Sequence, residues 1–199
     1  MDKKTIASYD ESYQAVAKLH HSLSPAWLYE LITQHFTPNT SVLDVGCGTG
    51  RDCAWLAQNG YAPTGVDASL GMLTIAKESY PSVRFIKDAL PELATIASAQ
   101  YENVLCSAVI MHLPSEQLMD AATHLLRVAK AGGCVLLTYR GSPSADNRES
   151  GKLYTPYVPS DVVQVFEQQG ATLISHTQNT EEERGHVWEN LVFRINTII

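Results

Sequence analysis

Apolar and polar positions change period several times along the chain, and the changes mark its elements. Ser41-Val-Leu-Asp-Val45 is a compact apolar run rich in β-branched residues and reads as a first strand. Tyr61–Val66 is a weaker second strand; Pro63 asks for a place away from the sheet centre, or a ladder position that needs no donor. Val83–Lys87 alternates and reads as a third strand, and Tyr101–Ser107 as a fourth. Gly133–Tyr139 is almost continuously apolar, as a strand buried on both faces should be. Between these runs the period lengthens to that of helices. Trp27, Leu28, Leu31 and Ile32 form one apolar face behind Ser24-Pro25, read as N-cap and first helical position. A short helix is expected over Arg51–Gln58, ended by Gly60, and Ser69 is placed to cap a helix carrying Met72, Leu73, Ile75 and Ala76. Ser115 opens a helix bearing Leu118, Met119, Ala122, Leu125 and Leu126. Ser160 opens another with Val162, Val163, Val165 and Phe166, which Gly170 closes.

Strand–helix alternation of this kind predicts an α/β fold with a doubly wound, mostly parallel sheet. The end of the chain departs from it. Ala171–Ser175 and Val187–Ile195 are joined only by the polar stretch Gln178–Gly185, too short for a crossover helix. They should form a C-terminal antiparallel hairpin, bringing the sheet to seven strands. Glu181–Arg184 reads as a solvated turn within it, and Trp188 and Arg194 as structural positions on one face of the last strand. Arg140–Pro159 is the longest loop, and a loop of that length is usually functional or mobile.

Composition narrows the function classes. The 199 residues suit one domain, 1–199, with an N-terminal lid segment at 1–24 and a substrate loop at 140–159. Fourteen Lys and Arg against 21 Asp and Glu give a charge of −7, which opposes a nucleic-acid footprint. Apolar runs are too short for a membrane span, and no apolar segment follows the charged start, so a cytoplasmic protein is expected. The four cysteines, Cys47, Cys53, Cys106 and Cys134, show no paired spacing and read as reduced core residues. No His, Cys or Asp cluster has metal-ligand spacing, so no metal is expected.

The richest chemistry lies in Val42-Leu-Asp-Val-Gly-Cys-Gly-Thr-Gly-Arg51, which follows a strand and opens a helix. Glycines there let the backbone approach a ligand, and the helix start supplies free N–H groups. The spacing is Gly46-x-Gly48-x-Gly50; a dinucleotide fingerprint wants its third glycine at 51, which is Arg. Asp67 closes the second strand about 20 residues on, where a carboxylate accepts from ribose hydroxyls. Asp88 follows the third strand, where a carboxylate can accept from an exocyclic adenine amine.

In these motifs the chain resembles the class I S-adenosylmethionine-dependent methyltransferases, small-molecule type, whose fold is Rossmann-like. The matching stretches are Val42–Arg51, Gly65–Leu73, Val83–Ala89, Tyr101–Pro114 and Ala131–Tyr139, roughly residues 25 to 140 in register. The resemblance implies S-adenosyl-L-methionine as cofactor. It places Gly46, Gly48 and Gly50, with Cys47 and Asp44 beside them, around its methionine part. It implies a ribose role for Asp67 with Ala68, and an adenine role for Asp88, Ala89 and Leu90, with Met72 packed near the ring. Ser107 falls where a backbone carbonyl faces the methionine amino group. Arg51 is a candidate for the cofactor carboxylate on its position alone. For Asp44 a purely structural role, bonding nearby backbone N–H groups, stays open.

Acceptor-side candidates are fewer. His112, after the fourth strand, is read either as a general base or as a loop anchor. Tyr9 and Tyr13 lie in a short helical segment read either as a lid touching cofactor or substrate or as packing. His20 and His21 read as surface, with a lid-facing role as the alternative. Tyr139, Arg140 and Arg148 complete the substrate-side candidates; Arg148 beside Asp146 and Glu149 reads equally as a solvated charge. The expected function is metal-independent, in-line methyl transfer to a small molecule. The alternatives are a protein or RNA acceptor, where Arg140, Arg148 and Lys152 are the basic candidates, a non-catalytic cofactor-binding protein, and, more weakly, a nicotinamide-dependent dehydrogenase. After the fourth strand the chain has Ser107-Ala-Val-Ile110, so the proline-rich motif of base-amine methyltransferases is missing.

Overall fold

A computed structural model describes residues 1–142, 144–181 and 185–197; the side chain of His21 lies outside the description, as does most of the Glu181–Arg184 turn. In chain order the elements are α1 (Lys3–Ser22), α2 (Ala26–His35), β1 (Ser41–Val45), α3 (Arg51–Gln58), β2 (Ala62–Asp67), α4 (Leu70–Ser79) and β3 (Arg84–Lys87). There follow β4 (Tyr101–Ser107), α5 (Leu118–Val128), β5 (Ala129–Tyr139), β6 (Arg148–Glu149), β7 (Lys152–Leu153), α6 (Pro159–Gln168), β8 (Ala171–Glu181) and β9 (His186–Ile195). Among the described residues, seven strands form one sheet in the order β3-β2-β1-β4-β5-β9-β8. The first five are parallel, and β9 and β8 run antiparallel at one edge. The expected doubly wound α/β sheet with its closing hairpin is therefore present.

Both faces of the sheet are buried, which is why its central strands are apolar at consecutive positions. Val135 and Leu137 of β5 join the layer of Leu125, Val162 and Phe166 from α5 and α6. Cys134 and Leu136 point the other way, into the layer of Leu28, Ile32 and Leu56 from α2 and α3. The period of two along one strand thus feeds two cores. Pro63 pairs with Val42 of β1, while pairing to β3 starts only at Thr64, so its missing N–H costs no ladder bond on that side.

Local signals set several boundaries. Ser69 Oγ accepts from Met72 N at 3.1 Å and starts α4, as its residue type predicts. Three expected helix starts shift. Pro25, not Ser24, is the N-cap of α2, with no side-chain cap bond. Val158 precedes α6 with Pro159 in its first turn, so Ser160 is already helical. Ser115 begins a single 3₁₀ turn, Ser115–Gln117, that leads into α5.

Two larger differences bear on the site. The N-terminal segment is a helix of 20 residues, longer than its pattern suggested. The Arg140–Pro159 loop contains a hairpin: Arg148 pairs with Leu153 and Glu149 with Lys152 around Ser150-Gly151. Both turn residues have positive φ, 49° and 81°, the signature of a two-residue hairpin turn.

Candidate active site

The site lies at the carboxyl ends of β1, β2 and β4, where the strand order reverses, which is where open α/β sheets bind ligands. Gly46 follows β1, Asp67 ends β2 and Ser107 ends β4. The turn after β1 is tied down by Gly46 N and Cys47 N, which donate to Val66 O at 2.8 and 2.9 Å. Gly46 has φ +74°, and a Cβ there would sit 2.2 Å from Val109 Cγ2, so only glycine fits.

Two adjoining cavities open above these strand ends. The inner one, about 120 Å³, is walled by Gly46, Gly48, Asp67, Ala68, Met72, Asp88, Ala89, Leu90 and Ser107 and roofed by Thr5, Ile6 and Tyr9 of α1. The outer one, about 490 Å³, is walled by Cys47, Thr49, Arg51, Trp27, Arg140, Lys152, Tyr154 and Trp188. Tyr9, His20, Gly46, Gly48, Ser107 and Ala108 border both.

Asp67 is the anchor of the inner cavity. One of its oxygens accepts from Gly48 N and the other from Ser69 N, each at 2.8 Å. Each oxygen keeps acceptor capacity toward the cavity. Burial raises its pKa, and the backbone donors oppose that. Asp88 differs. Its carboxylate accepts from Ala89 N, Ala94 N, Thr95 N and Thr95 Oγ1 at 2.6–3.2 Å. Four bonds fill a carboxylate, so Asp88 builds the turn that presents Ala89 and Leu90 to the cavity.

Other expected cofactor residues divide. Asp44 is buried beneath the glycine turn, outside both cavity walls, and accepts from Cys53 Sγ at 3.2 Å. Burial pushes its carboxyl up to about 8, with the Asp52 charge adding to the rise. Gly50 also stands behind the wall: it has φ +78°, and a Cβ there would meet Phe85 at 2.7 Å, so this glycine serves packing. Arg51 lines the outer cavity, but its guanidinium pairs with Asp52 at 2.8 Å and donates to His20 O. Thr49 is buried on the outer wall, and its hydroxyl has no hydrogen-bond partner among the described residues.

His112 is almost fully buried, and its two nitrogens are both engaged. Nδ1 lies 2.5 Å from Leu153 O, a pure acceptor, so Nδ1 carries the proton. Nε2 then accepts from the Tyr9 hydroxyl at 3.2 Å. Burial lowers the imidazole pKa to about 4, the Lys152 and Arg140 charges lower it further, and the Leu153 carbonyl opposes them. The ring edges of Tyr9 and Tyr154 close around it. His112 thus anchors the loop through Leu153 O, and its neutral imidazole is reached through the Tyr9 hydroxyl.

Three of the substrate-side candidates lie away from both cavities, and a fourth reaches one of them with its charge already paired. Tyr13 lines neither cavity; its ring packs on Gly71 at the start of α4, where a Cβ would come within 2.8 Å of it. Tyr139 is buried against Tyr157, away from both cavities, because β5 turns that side chain into the core. Arg148 is held by Asp2 at 3.0 Å and by Gly151 O, and lines neither cavity. Arg140 does line the outer cavity, but Glu149 takes its guanidinium at 2.7 Å while its face covers the Tyr154 ring at 4.1 Å.

Residues expected to be structural or surface enter instead. These are Trp188 and His20, both on the cavity wall, while Lys152, already a basic candidate of the long loop, and Tyr154 come in with the hairpin. The Ser150-Gly151 dipeptide was the available signal for that hairpin. No group of three His, Cys, Asp or Glu able to hold a metal occurs among the described residues. No helix among them is long and apolar enough to cross a membrane.

Residues 42–133 match a protein-family model described as a methyltransferase domain. That stretch, just under half of the chain, is what resembles a methyltransferase domain in sequence. A ubiquinone biosynthesis O-methyltransferase from Saccharophagus degradans is 31% identical over 130 residues, 63% of this chain and 54% of that protein. The chain spans about half the length of the curated relatives it matches. A 1,6-didemethyltoxoflavin-N1-methyltransferase from Burkholderia thailandensis, solved with bound 1,6-didemethyltoxoflavin and S-adenosylhomocysteine, superposes with a TM-score of 0.76 at 17% identity. That match covers 98% of this chain and 88% of the other. An S-adenosylmethionine-dependent methyltransferase from Methanosarcina mazei gives a TM-score of 0.74 at 16% identity, over 88% of this chain and 99% of that one. Outside the matched stretch, α1 and the β6–β7 hairpin complete the two cavities.

Proposed function

We propose that this protein methylates a small molecule, with S-adenosylmethionine running from the inner cavity across the Gly46–Gly48 junction to Thr49 and the acceptor in the rest of the outer cavity. The observation that carries the reading is the junction of the two cavities at Gly46, Ser107 and Ala108, next to a buried Asp67 with acceptor capacity left. The cofactor supplies a sulfonium-activated methyl group, so the protein's share is binding, alignment and exclusion of water.

The residues fit that cofactor. Asp67 faces the inner cavity as a ribose-hydroxyl acceptor, with Ala68 beside it. Met72 and Leu90 give apolar walls for the base, and the Asp88 turn holds Ala89 and Leu90 in place. Gly46 and Gly48 leave the approach to the methionine part open, and the unpartnered Thr49 hydroxyl suits its charged end. The outer cavity has aromatic walls and enough room for a compact acceptor.

Tyr9 and His112 serve an acceptor that must lose a proton. The acceptor hydroxyl gives its proton to the Tyr9 oxygen as Tyr9 passes its own to His112 Nε2, and the charge ends on the imidazole held by Leu153 O. The curated relatives named for O-methylation favour such a hydroxyl acceptor. The test is transfer of a labelled methyl group from S-adenosylmethionine to a panel of phenols, alcohols, thiols, amines and carboxylates. Transfer to one of them, reduced in Tyr9→Phe, supports the reading. A folded protein that does not bind the cofactor overturns it.

A further inference from the structure

Lys152 is the one cation of the outer wall with no carboxylate beside it among the described residues. Arg51 is matched by Asp52 and Arg140 by Glu149. Glu181, the remaining acid on that wall besides Asp52, has an interaction of its own. The Lys152 ammonium instead rests 4.2 Å over the Tyr9 ring, whose hydroxyl engages His112. It is half-buried, and burial alone pulls its pKa down, with no anion opposing the shift. A partly desolvated charge without a counter-ion is costly, and a cation–π contact offsets only part of that cost. The hairpin fixes the residue there: Lys152 pairs with Glu149 across β6–β7, and Leu153 is bonded to both Thr5 Oγ1 and His112.

Resting on the acceptor reading above, we propose that Lys152 recognises an anionic group on the acceptor, and that the acceptor class is aromatic carboxylic acids. The carboxylate would sit on the ammonium, and the ring would lie among Trp27, Tyr154 and Trp188 on the same wall. Neutralising Lys152 also removes one of the charges that hold His112 in its weakly basic state, so acceptor binding strengthens the base just when it is needed.

Calorimetry on the full chain tests this. Benzoate, salicylate and indole-3-carboxylate, and their uncharged amides, are titrated into protein saturated with S-adenosylhomocysteine. The carboxylates should bind at least roughly tenfold more tightly than the amides. Lys152→Gln should erase that preference, Lys152→Arg should keep most of it, and all three proteins should bind S-adenosylhomocysteine equally. No carboxylate preference in the wild type overturns the proposal, as does a preference that survives Lys152→Gln. Loss of S-adenosylhomocysteine binding in Lys152→Gln alone also overturns it, because the charge then serves the cofactor. If the wild type itself does not bind S-adenosylhomocysteine, the functional reading fails, and the carboxylate and amide comparison on the cofactor-free protein still decides the Lys152 proposal.

Discussion

The Tyr9 hydroxyl lies 3.2 Å from His112 Nε2 across 103 residues of sequence, joining the roof helix to the loop after β4. Because Leu153 O fixes the proton on Nδ1, the hydrogen bond can run only from Tyr9 to His112. The Tyr9 oxygen therefore faces the cavities as an acceptor. Tyr9→Phe should reduce turnover of a hydroxyl acceptor roughly a hundredfold while S-adenosylhomocysteine affinity changes little. Single-turnover kinetics beside calorimetry separates the two. Unchanged turnover would remove Tyr9 from the proton path.

His112 and Asp44 should give opposite pH dependences of stability. The His112 pKa is about 4 in the fold against 6.5 unfolded, so its contribution is complete above pH 6.5 and is lost as pH falls to 4. Asp44 is raised from 3.8 to about 8, so its contribution is complete below 3.8 and is lost as pH rises through 8. Each slope is about 1.4 kcal/mol per pH unit, and the two cancel between pH 4 and 6.5. Relative to wild type, His112→Asn should lose stability with rising pH in that window and Asp44→Asn should gain it. Urea unfolding at stepped pH reads both; two variants with the wild-type profile would contradict the assignment.

The two cavity aspartates should also separate. Asp88→Ala frees four donors of the 88–95 turn and should cost about 1–3 kcal/mol of stability in thermal or denaturant unfolding. Asp67→Ala loses two backbone bonds but should show its main effect as lost cofactor affinity. If Asp88→Ala leaves stability unchanged and removes only affinity, the carboxylate belongs to the ligand after all.

The roof helix is tied by Asp2, which caps α1 through Thr5 and pairs with Arg148 of the hairpin. The Arg148 guanidinium holds the Asp2 carboxyl down to about 2 from 3.8, so the tie is complete above pH 3.8 and is lost as pH falls through 2. Arg148→Ala should speed amide exchange in residues 3–10 at neutral pH and leave the exchange of β4 and β5 as it was. Uniform change across the chain would mean a global rather than a local role.

Much of this was legible in the order of residues. The sheet follows from apolar runs at strand length, and Gly46, Gly48 and Asp67 reach the cavity because strand ends converge at the order reversal. Gly50 and Asp88 carried the same motif signal, yet one packs on Phe85 and the other fills itself with its own turn. Motif spacing places a residue at a strand end but does not say which way its side chain points. The acceptor side was harder still. Lys152 and Trp188 come from separate elements, and only the hairpin register and the pairing of β9 beside β5 bring them to one wall. Tyr13 and Tyr139 look like Tyr9 in sequence, but one lies on the α4 side of its helix and the other faces the core side of its strand.

The central claim is a cofactor seat at Asp67, and calorimetric titration of S-adenosylhomocysteine into wild type and Asp67→Ala tests it most directly. The account predicts saturable one-to-one binding by the wild type, weakened by roughly tenfold or more in the variant. A folded wild type that takes up no S-adenosylhomocysteine, or a variant that binds it equally well, would contradict the account.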